Sequence, residues 1–158
     1  MSAEILTRDE LKEKADKLKA EGVLLVFTNG CFDILHVGHI RYLKKAASLG
    51  DKLILAVNSD SSVKKLKGSN RPYVPGAERM EILSALDMID FLVPFSEVDC
   101  RSLLEDVKPQ IYVKGGDYRL EDLPEAETVY EYGGKIVFIK EVKGRSTTEL
   151  VKKIRQTK

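Results

Sequence analysis

The chain has 158 residues, 43% hydrophobic and 32% charged, and its 26 basic and 25 acidic side chains leave a formal net charge of +1. One domain's length buries enough surface to fold without a disulfide or a metal. The charge balance excludes a broad electrostatic footprint for nucleic acid. Two cysteines, Cys31 and Cys100, are too few for a secreted disulfide framework and point to a reducing compartment. Apolar runs reach no more than five residues, Val23 to Phe27 and Leu53 to Val57, against the roughly 20 that a bilayer span requires. The polar N-terminus is not a signal peptide. The expectation is a soluble, cytoplasmic protein with neither nucleic acid nor membrane as a partner.

Thr7 and Glu10 have capping-box spacing, so a helix begins there, runs through Leu11, Ala15 and Leu18, and closes at Gly22. Val23 to Thr28 reads as a buried strand, and a loop from Asn29 to Val37 leads into a helix from Gly38 to Leu49. Leu53 to Val57 is a second buried strand, Ser59 to Lys67 a short polar helix, and Ala77 to Met88 a helix with Met80, Leu83 and Leu86 on its apolar side. Strand Phe91 to Pro94 follows, then a helix from about Asp99 through Leu103, Leu104 and Val107. Strand Ile111 to Val113 ends in Gly115-Gly116-Asp117, and a helix spans Pro124 to Tyr132. Strand Lys135 to Ile139 precedes a final helix, Ser146 to Gln156, with Ser146 and Glu149 as a second capping box. Five short apolar strands alternating with helices predict one α/β domain over 1–158, an N-terminal helix at 1–22 and a parallel-sheet core at 23–158. In such sheets ligands sit beyond the carboxyl ends of the strands, so the loops after the strands are where a site is expected.

The first such loop is neither a dinucleotide fingerprint nor a Walker phosphate loop. It holds both histidines of the chain, His36 and His39, three apart at a helix start with Gly38 between them. Free amides and the helix dipole favour an anion there, and two imidazoles add donors whose protonation is adjustable near neutral pH. Two other readings stand beside this: one histidine capping the helix while the other packs in the core, or a zinc site from Cys31, His36 and His39, which lacks paired thiolates or a fourth ligand nearby. After the second strand, Lys64, Lys65, Lys67, Arg71 and Arg79 concentrate positive charge. Lys67 and Arg79 are the chosen phosphate ligands, while Lys64 and Lys65 belong as readily to a solvated surface. Asp117 suits a ribose hydroxyl or a simple turn. Ser146, Thr147 and Thr148 suit a phosphate or an ordinary N-cap.

His36-Val37-Gly38-His39 with Asn29-Gly30-Cys31-Phe32-Asp33 before it, and Arg145-Ser146-Thr147-Thr148 later, resemble the two signatures of the nucleotidyltransferase superfamily. Ala56-Val57-Asn58-Ser59-Asp60, Leu66-Lys67-Gly68 with Arg71-Pro72, and Val113-Lys114-Gly115-Gly116-Asp117-Tyr118 are similar to its heptose-phosphate adenylyltransferase branch. The resemblance implies a Rossmann-like three-layer sandwich with a five-stranded parallel sheet. It implies transfer of AMP from ATP to D-glycero-β-D-manno-heptose 1-phosphate, with Mg²⁺, giving ADP-heptose for lipopolysaccharide core and pyrophosphate. By motif match the catalytic residues are His36, His39 and Lys67. The nucleotide shell is Thr28, Asn29, Gly30, Cys31, Phe32, Asp33, Gly38, Arg79, Gly116, Asp117, Ser146 and Thr147, and no protein-held metal is assigned, Asp33 being the candidate contact for Mg²⁺. A separate kinase is expected to supply the sugar 1-phosphate, and the reading admits a homodimer. In the glycerol-phosphate cytidylyltransferase branch an arginine stands five positions before the signature serine, where this chain has Glu141. The rival readings are a cytidylyltransferase acting on glycerol 3-phosphate and a nucleotide-binding regulator without catalysis.

Overall fold

The computed structural model describes residues 2–116, 118–140 and 146–157. Elements follow in the order β1 (Glu4–Ile5), α1 (Arg8–Ala20), β2 (Leu25–Gly30), α2 (Val37–Ala47), β3 (Lys52–Asn58), α3 (Asp60–Lys67), α4 (Gly76–Ser84), β4 (Phe91–Phe95), α5 (Arg101–Val107), β5 (Ile111–Gly115), a 3-10 turn (Leu120–Asp122), α6 (Ala126–Glu131), β6 (Lys135–Ile139) and α7 (Thr147–Gln156). The strands form one sheet in the order β1-β4-β3-β2-β5-β6, every pair parallel. The sheet therefore has six strands, not the five expected. The addition is β1, two exposed residues paired with Phe91 and Leu92. So short a strand leaves no periodic signature. Because β1 stops at Leu92, Pro94 lies beyond it, where a missing N–H breaks no ladder with β1.

Alternation along the strands divides the core into two layers. Leu53, Leu55 and Val57 of β3 pack with Leu43 and Ala46 of α2 and Met80 and Leu83 of α4. Ile54 and Ala56 face the other way, onto Leu11 and Ala15 of α1, Leu103, Leu104 and Val107 of α5 and Val129 of α6. Burial on both faces explains why these strands read as continuous apolar runs. The expected capping box at α1 is present, with the Thr7 amide donating to Glu10 Oε2 at 2.8 Å and the Glu10 amide donating to Thr7 Oγ1 at 3.2 Å. The helix expected to reach Met88 ends at Ser84. No helix among the described residues is long and apolar enough to cross a membrane.

The strand order reverses beside β2. Strand β2 pairs with β3 over six positions but with β5 over two, Val26 with Ile111 and Phe27 with Tyr112. Beyond those pairs side chains take over. Thr28 Oγ1 donates to the Val113 carbonyl at 2.9 Å, and the Tyr112 hydroxyl donates to Asn29 Oδ1 at 2.7 Å. The carboxyl ends of β2 and β5 thus part, and the crevice of an open α/β sheet forms there.

Candidate active site

A cleft with two lobes opens at this point. One lobe, of about 430 Å³, is bounded by His36, Gly38, Tyr42, Gly115, Ile139 and the start of α7 at Ser146, Thr147 and Thr148. The other, of about 590 Å³, is bounded by Gly30, Cys31, Asp33, Asn58, Arg71, Asp99 and Glu125. Asn29, Phe32, His39, Lys67, Lys114, Tyr118 and Thr147 border both lobes, so His39 and two lysines stand where the lobes meet.

The histidines are held by the helix they begin. His36 is the N-cap of α2, and its Nδ1 accepts from the Gly38 amide at 3.1 Å; His39 Nδ1 accepts from the His36 amide at 3.2 Å. This is a capping box built from two imidazoles. A ring nitrogen that accepts carries no proton, so each neutral ring bears its proton on Nε2. A metal on either Nε2 would require the opposite tautomer and would break the cap. The rings lie 4.0 Å apart, and Phe32 packs against His39 at 5.2 Å. Phe32 occupies the left-handed region at φ 48°, a conformation that costs a non-glycine residue energy. Burial, then the neighbouring His36 and Lys67, push the His39 pKa from 6.5 down to about 4. His39 is therefore a neutral donor at pH 7, not the adjustable cation expected from its residue type. Both rings take part in the cap of α2, and both border the cleft.

The basic residues separate sharply. Lys67, the last residue of α3, borders both lobes, whereas Lys64 and Lys65 border neither. Arg79 is 1% exposed and lies outside the cleft. Its Nη1 donates to the carbonyls of Cys31 at 2.6 Å and Asn58 at 2.8 Å, its Nε to the Val74 carbonyl at 3.0 Å, and its Nη2 to Asp60 Oδ1 at 2.8 Å. The structure does not bring Arg79 to a phosphate; it makes Arg79 a clamp between the His36 loop, the end of β3 and the entry to α4. Arg71 borders the second lobe instead.

Asp33 is also occupied by structure. Its oxygens accept from Arg71 Nε at 2.9 Å, from the Tyr73 amide at 3.0 and 2.9 Å, and from the Val74 amide at 2.9 Å. Burial pushes its pKa up, but those amides and the Arg71 guanidinium outweigh that and hold it below the usual range. A carboxylate so engaged does not fit as a magnesium ligand, and no cluster of three metal-ligating side chains exists among the described residues. Burial pushes the Cys31 thiol pKa up despite nearby Lys67 and Arg79, so Cys31 is not a ready nucleophile.

Among the remaining expected residues, Asn29, Gly30, Phe32 and Gly38 border the cleft. Thr28 is fully buried, with its hydroxyl 2.6 Å from Tyr42 OH. Gly116, at φ 94°, turns the chain after β5. Ser146 caps α7, its Oγ accepting from the Glu149 amide at 3.0 Å, and Thr147 Oγ1 donates to the Ile34 carbonyl at 2.9 Å, tying α7 to the histidine loop. Asp117, Glu141, Lys143 and Arg145 lie outside the described residues. Residues not assigned a role from the sequence include Lys114, whose Nζ sits 4.9 Å over the Tyr118 ring, and Tyr42, whose ring would meet a Cβ on Gly115 at 2.8 Å. Lys114 stands at the carboxyl end of β5, and that position was the available signal.

A sequence model described as cytidylyltransferase-like matches residues 27–153. The bifunctional protein HldE of Geotalea uraniireducens is 48% identical over 153 residues, 97% of this chain and 31% of that protein. The bifunctional protein HldE of Geobacter sulfurreducens is 51% identical over 136 residues, 86% of this chain and 28% of that protein. The chain thus spans about a third of the length of these curated relatives. Among solved structures, the lipopolysaccharide core biosynthesis protein of Thermoplasma volcanium superposes with a TM-score of 0.63 at 31% identity, over 77% of this chain and 98% of that one. A pantoate-beta-alanine ligase from Francisella tularensis, solved with an ATP analogue and beta-alanine, shares the fold at a TM-score of 0.62 and 17% identity, over 98% of this chain and 78% of that one. With the match running from β2 into α7 across both sides of the cleft, the chain belongs to the cytidylyltransferase-like family.

Proposed function

We propose that this chain is a nucleotidyltransferase that moves AMP from ATP to D-glycero-β-D-manno-heptose 1-phosphate, releasing pyrophosphate and ADP-heptose. The observation that carries the reading is the junction of two lobes at His39, Lys67 and Lys114. A transfer between two bound phosphates needs such a junction, with donors aimed at the moving group. The similarity to HldE proteins and to a lipopolysaccharide core biosynthesis protein supports the choice of acceptor.

In this reading ATP fills the lobe between α2 and α7, with its phosphates reaching toward His36 and His39. The sugar phosphate enters the second lobe, and one of its oxygens attacks the α-phosphorus in line while pyrophosphate departs from the far side. The nucleophile is already an anion at neutral pH, so no side chain must remove a proton. Catalysis then consists of alignment and of stabilising charge on the equatorial and leaving oxygens. The Nε2–H groups of both histidines and the ammonium groups of Lys67 and Lys114 serve that end. Magnesium accompanies the triphosphate as its counter-ion, since Asp33 is engaged elsewhere. A kinase supplies the sugar 1-phosphate, and the reaction is placed in the cytoplasm, where ATP is abundant; the homodimer remains part of this proposal.

Pyrophosphate release measured with ATP or CTP against heptose 1-phosphate or glycerol 3-phosphate tests the assignment. Turnover is expected with ATP and the heptose phosphate. Faster turnover with CTP and glycerol 3-phosphate, or nucleotide binding with no turnover on any acceptor, overturns it.

A further inference from the structure

The second lobe contains a group that phosphate chemistry does not use. Glu125, immediately before α6, is 3% exposed. Its Oε1 accepts from the Cys100 amide at 3.3 Å, and its Oε2 is buried with no hydrogen-bond partner among the described residues. Leaving a buried acceptor unpaired is costly, and each such group in a folded protein calls for an explanation. Glu125 borders the second lobe together with Lys67, Arg71 and Lys114. That lobe carries three cations and, with Asp33 and Asp99, three carboxylates. Arg71 and the amides of Tyr73 and Val74 engage Asp33, and Arg101 engages Asp99, so Glu125 Oε2 is the buried oxygen left without a donor among the described residues. A neutral O–H donor satisfies a lone carboxylate oxygen without adding negative charge, and it forms a short, charge-assisted hydrogen bond. A site built around such a bond rejects analogues that lack the hydroxyl.

We propose that Glu125 is a specificity-determining residue for the acceptor: its Oε2 accepts a hydrogen bond from a hydroxyl of a phosphorylated polyol whose phosphate lies among Lys67, Arg71 and Lys114. The inference rests on the second lobe being the acceptor site. It accounts for a buried carboxylate oxygen left without a donor beside a cavity that also holds three cations, and it sets the chemical class of the acceptor as a sugar or polyol phosphate rather than a bare phosphate.

Calorimetric titration of the whole chain, saturated with a non-hydrolysable ATP analogue, provides the test. The probes are D-glycero-β-D-manno-heptose 1-phosphate, glycerol 3-phosphate and methyl phosphate, against the wild type, Glu125→Gln and Glu125→Ala. Both variants should bind the polyol phosphate that the wild type accepts about tenfold more weakly or worse, Ala more so than Gln. Affinities for methyl phosphate and for the ATP analogue should stay within about twofold. Glu125→Gln should melt close to wild type, because its amide oxygen preserves the Cys100 bond; it therefore carries the test if Glu125→Ala fails to fold. Equal losses on methyl phosphate, losses on the ATP analogue, or no loss on any polyol phosphate overturn the proposal. Wild-type binding of glycerol 3-phosphate without the heptose phosphate refutes the substrate reading alone, and Glu125 is then judged on glycerol 3-phosphate against methyl phosphate. Binding of none of the three refutes both.

Discussion

The main-chain amide of His36 donates to Nδ1 of His39 at 3.2 Å while the two imidazole rings lie 4.0 Å apart. The side chains that face the cleft are thus the same ones that start α2. Their tautomers follow from the helix rather than from the ligand, so the Nε2–H donors exist before any phosphate arrives. Preorganisation of this kind lowers a barrier because no dipole has to turn at the moment of reaction.

That dual duty can be separated. Asparagine places an acceptor near the position of Nδ1 but has nothing at Nε2. His36→Asn should keep the N-cap and fold like wild type, whereas His36→Ala should lose about 1 kcal/mol of stability. Both should lose about 10²–10³ in turnover. Urea unfolding alongside pyrophosphate release distinguishes the two effects; full activity in His36→Asn would remove that ring from the chemistry.

The depressed pKa of His39 makes a prediction about acid. The folded protein holds this ring unprotonated down to about pH 4, while the unfolded chain protonates it from about 6.5. Between those values the unfolded state binds the extra proton, so stability falls as pH drops through that window and the contribution is constant below it. The full span amounts to up to about 3 kcal/mol. His39→Asn should flatten the stability profile between pH 6.5 and 4; denaturation midpoints at half-unit pH steps would show it, and an unchanged slope would contradict it.

Much of this was legible in the residues. Strands β2 and β3 are covered on both faces, so they appear as unbroken apolar runs, and the only two histidines of the sequence stand at the start of the helix that follows β2. Strand β1 was invisible because two exposed residues carry no period. Arg79 was misassigned for a different reason. A sequence displays the charge of a guanidinium but not the carbonyls of Cys31, Asn58 and Val74 that converge on it from three segments. Glu125 was missed because one glutamate before a short helix is indistinguishable from a solvated one until its burial is known.

Arg79 and Lys67 should consequently fail in opposite ways. Arg79→Met leaves three carbonyls of the histidine loop, β3 and the α4 entry without donors, and should cost about 3 kcal/mol or more of stability. Lys67→Ala, at an exposed helix end, should leave stability within about 0.5 kcal/mol while lowering turnover at least tenfold. Thermal melts and initial rates measured on the same preparations suffice. A stable, slow Arg79→Met protein would restore Arg79 to the phosphate site.

Asp33 offers the clearest separation of architecture from metal chemistry. Its carboxylate anchors the segment leading into α4 through Arg71 Nε and the amides of Tyr73 and Val74. Because these partners hold the folded pKa below the ordinary 3.8, the stability they contribute is complete above that value and is lost as pH falls through the folded pKa. Asp33→Asn removes the charge and turns one acceptor into a donor facing amides or a guanidinium. It should destabilise the protein by about 1–3 kcal/mol and weaken acceptor binding through displacement of Arg71. In the proposed reaction the ion travels with the triphosphate and not on this side chain, so the magnesium concentration giving half-maximal rate should nevertheless stay the same. A magnesium titration that shifts severalfold in Asp33→Asn, with the melting temperature unmoved, would make Asp33 a metal ligand and reverse the assignment.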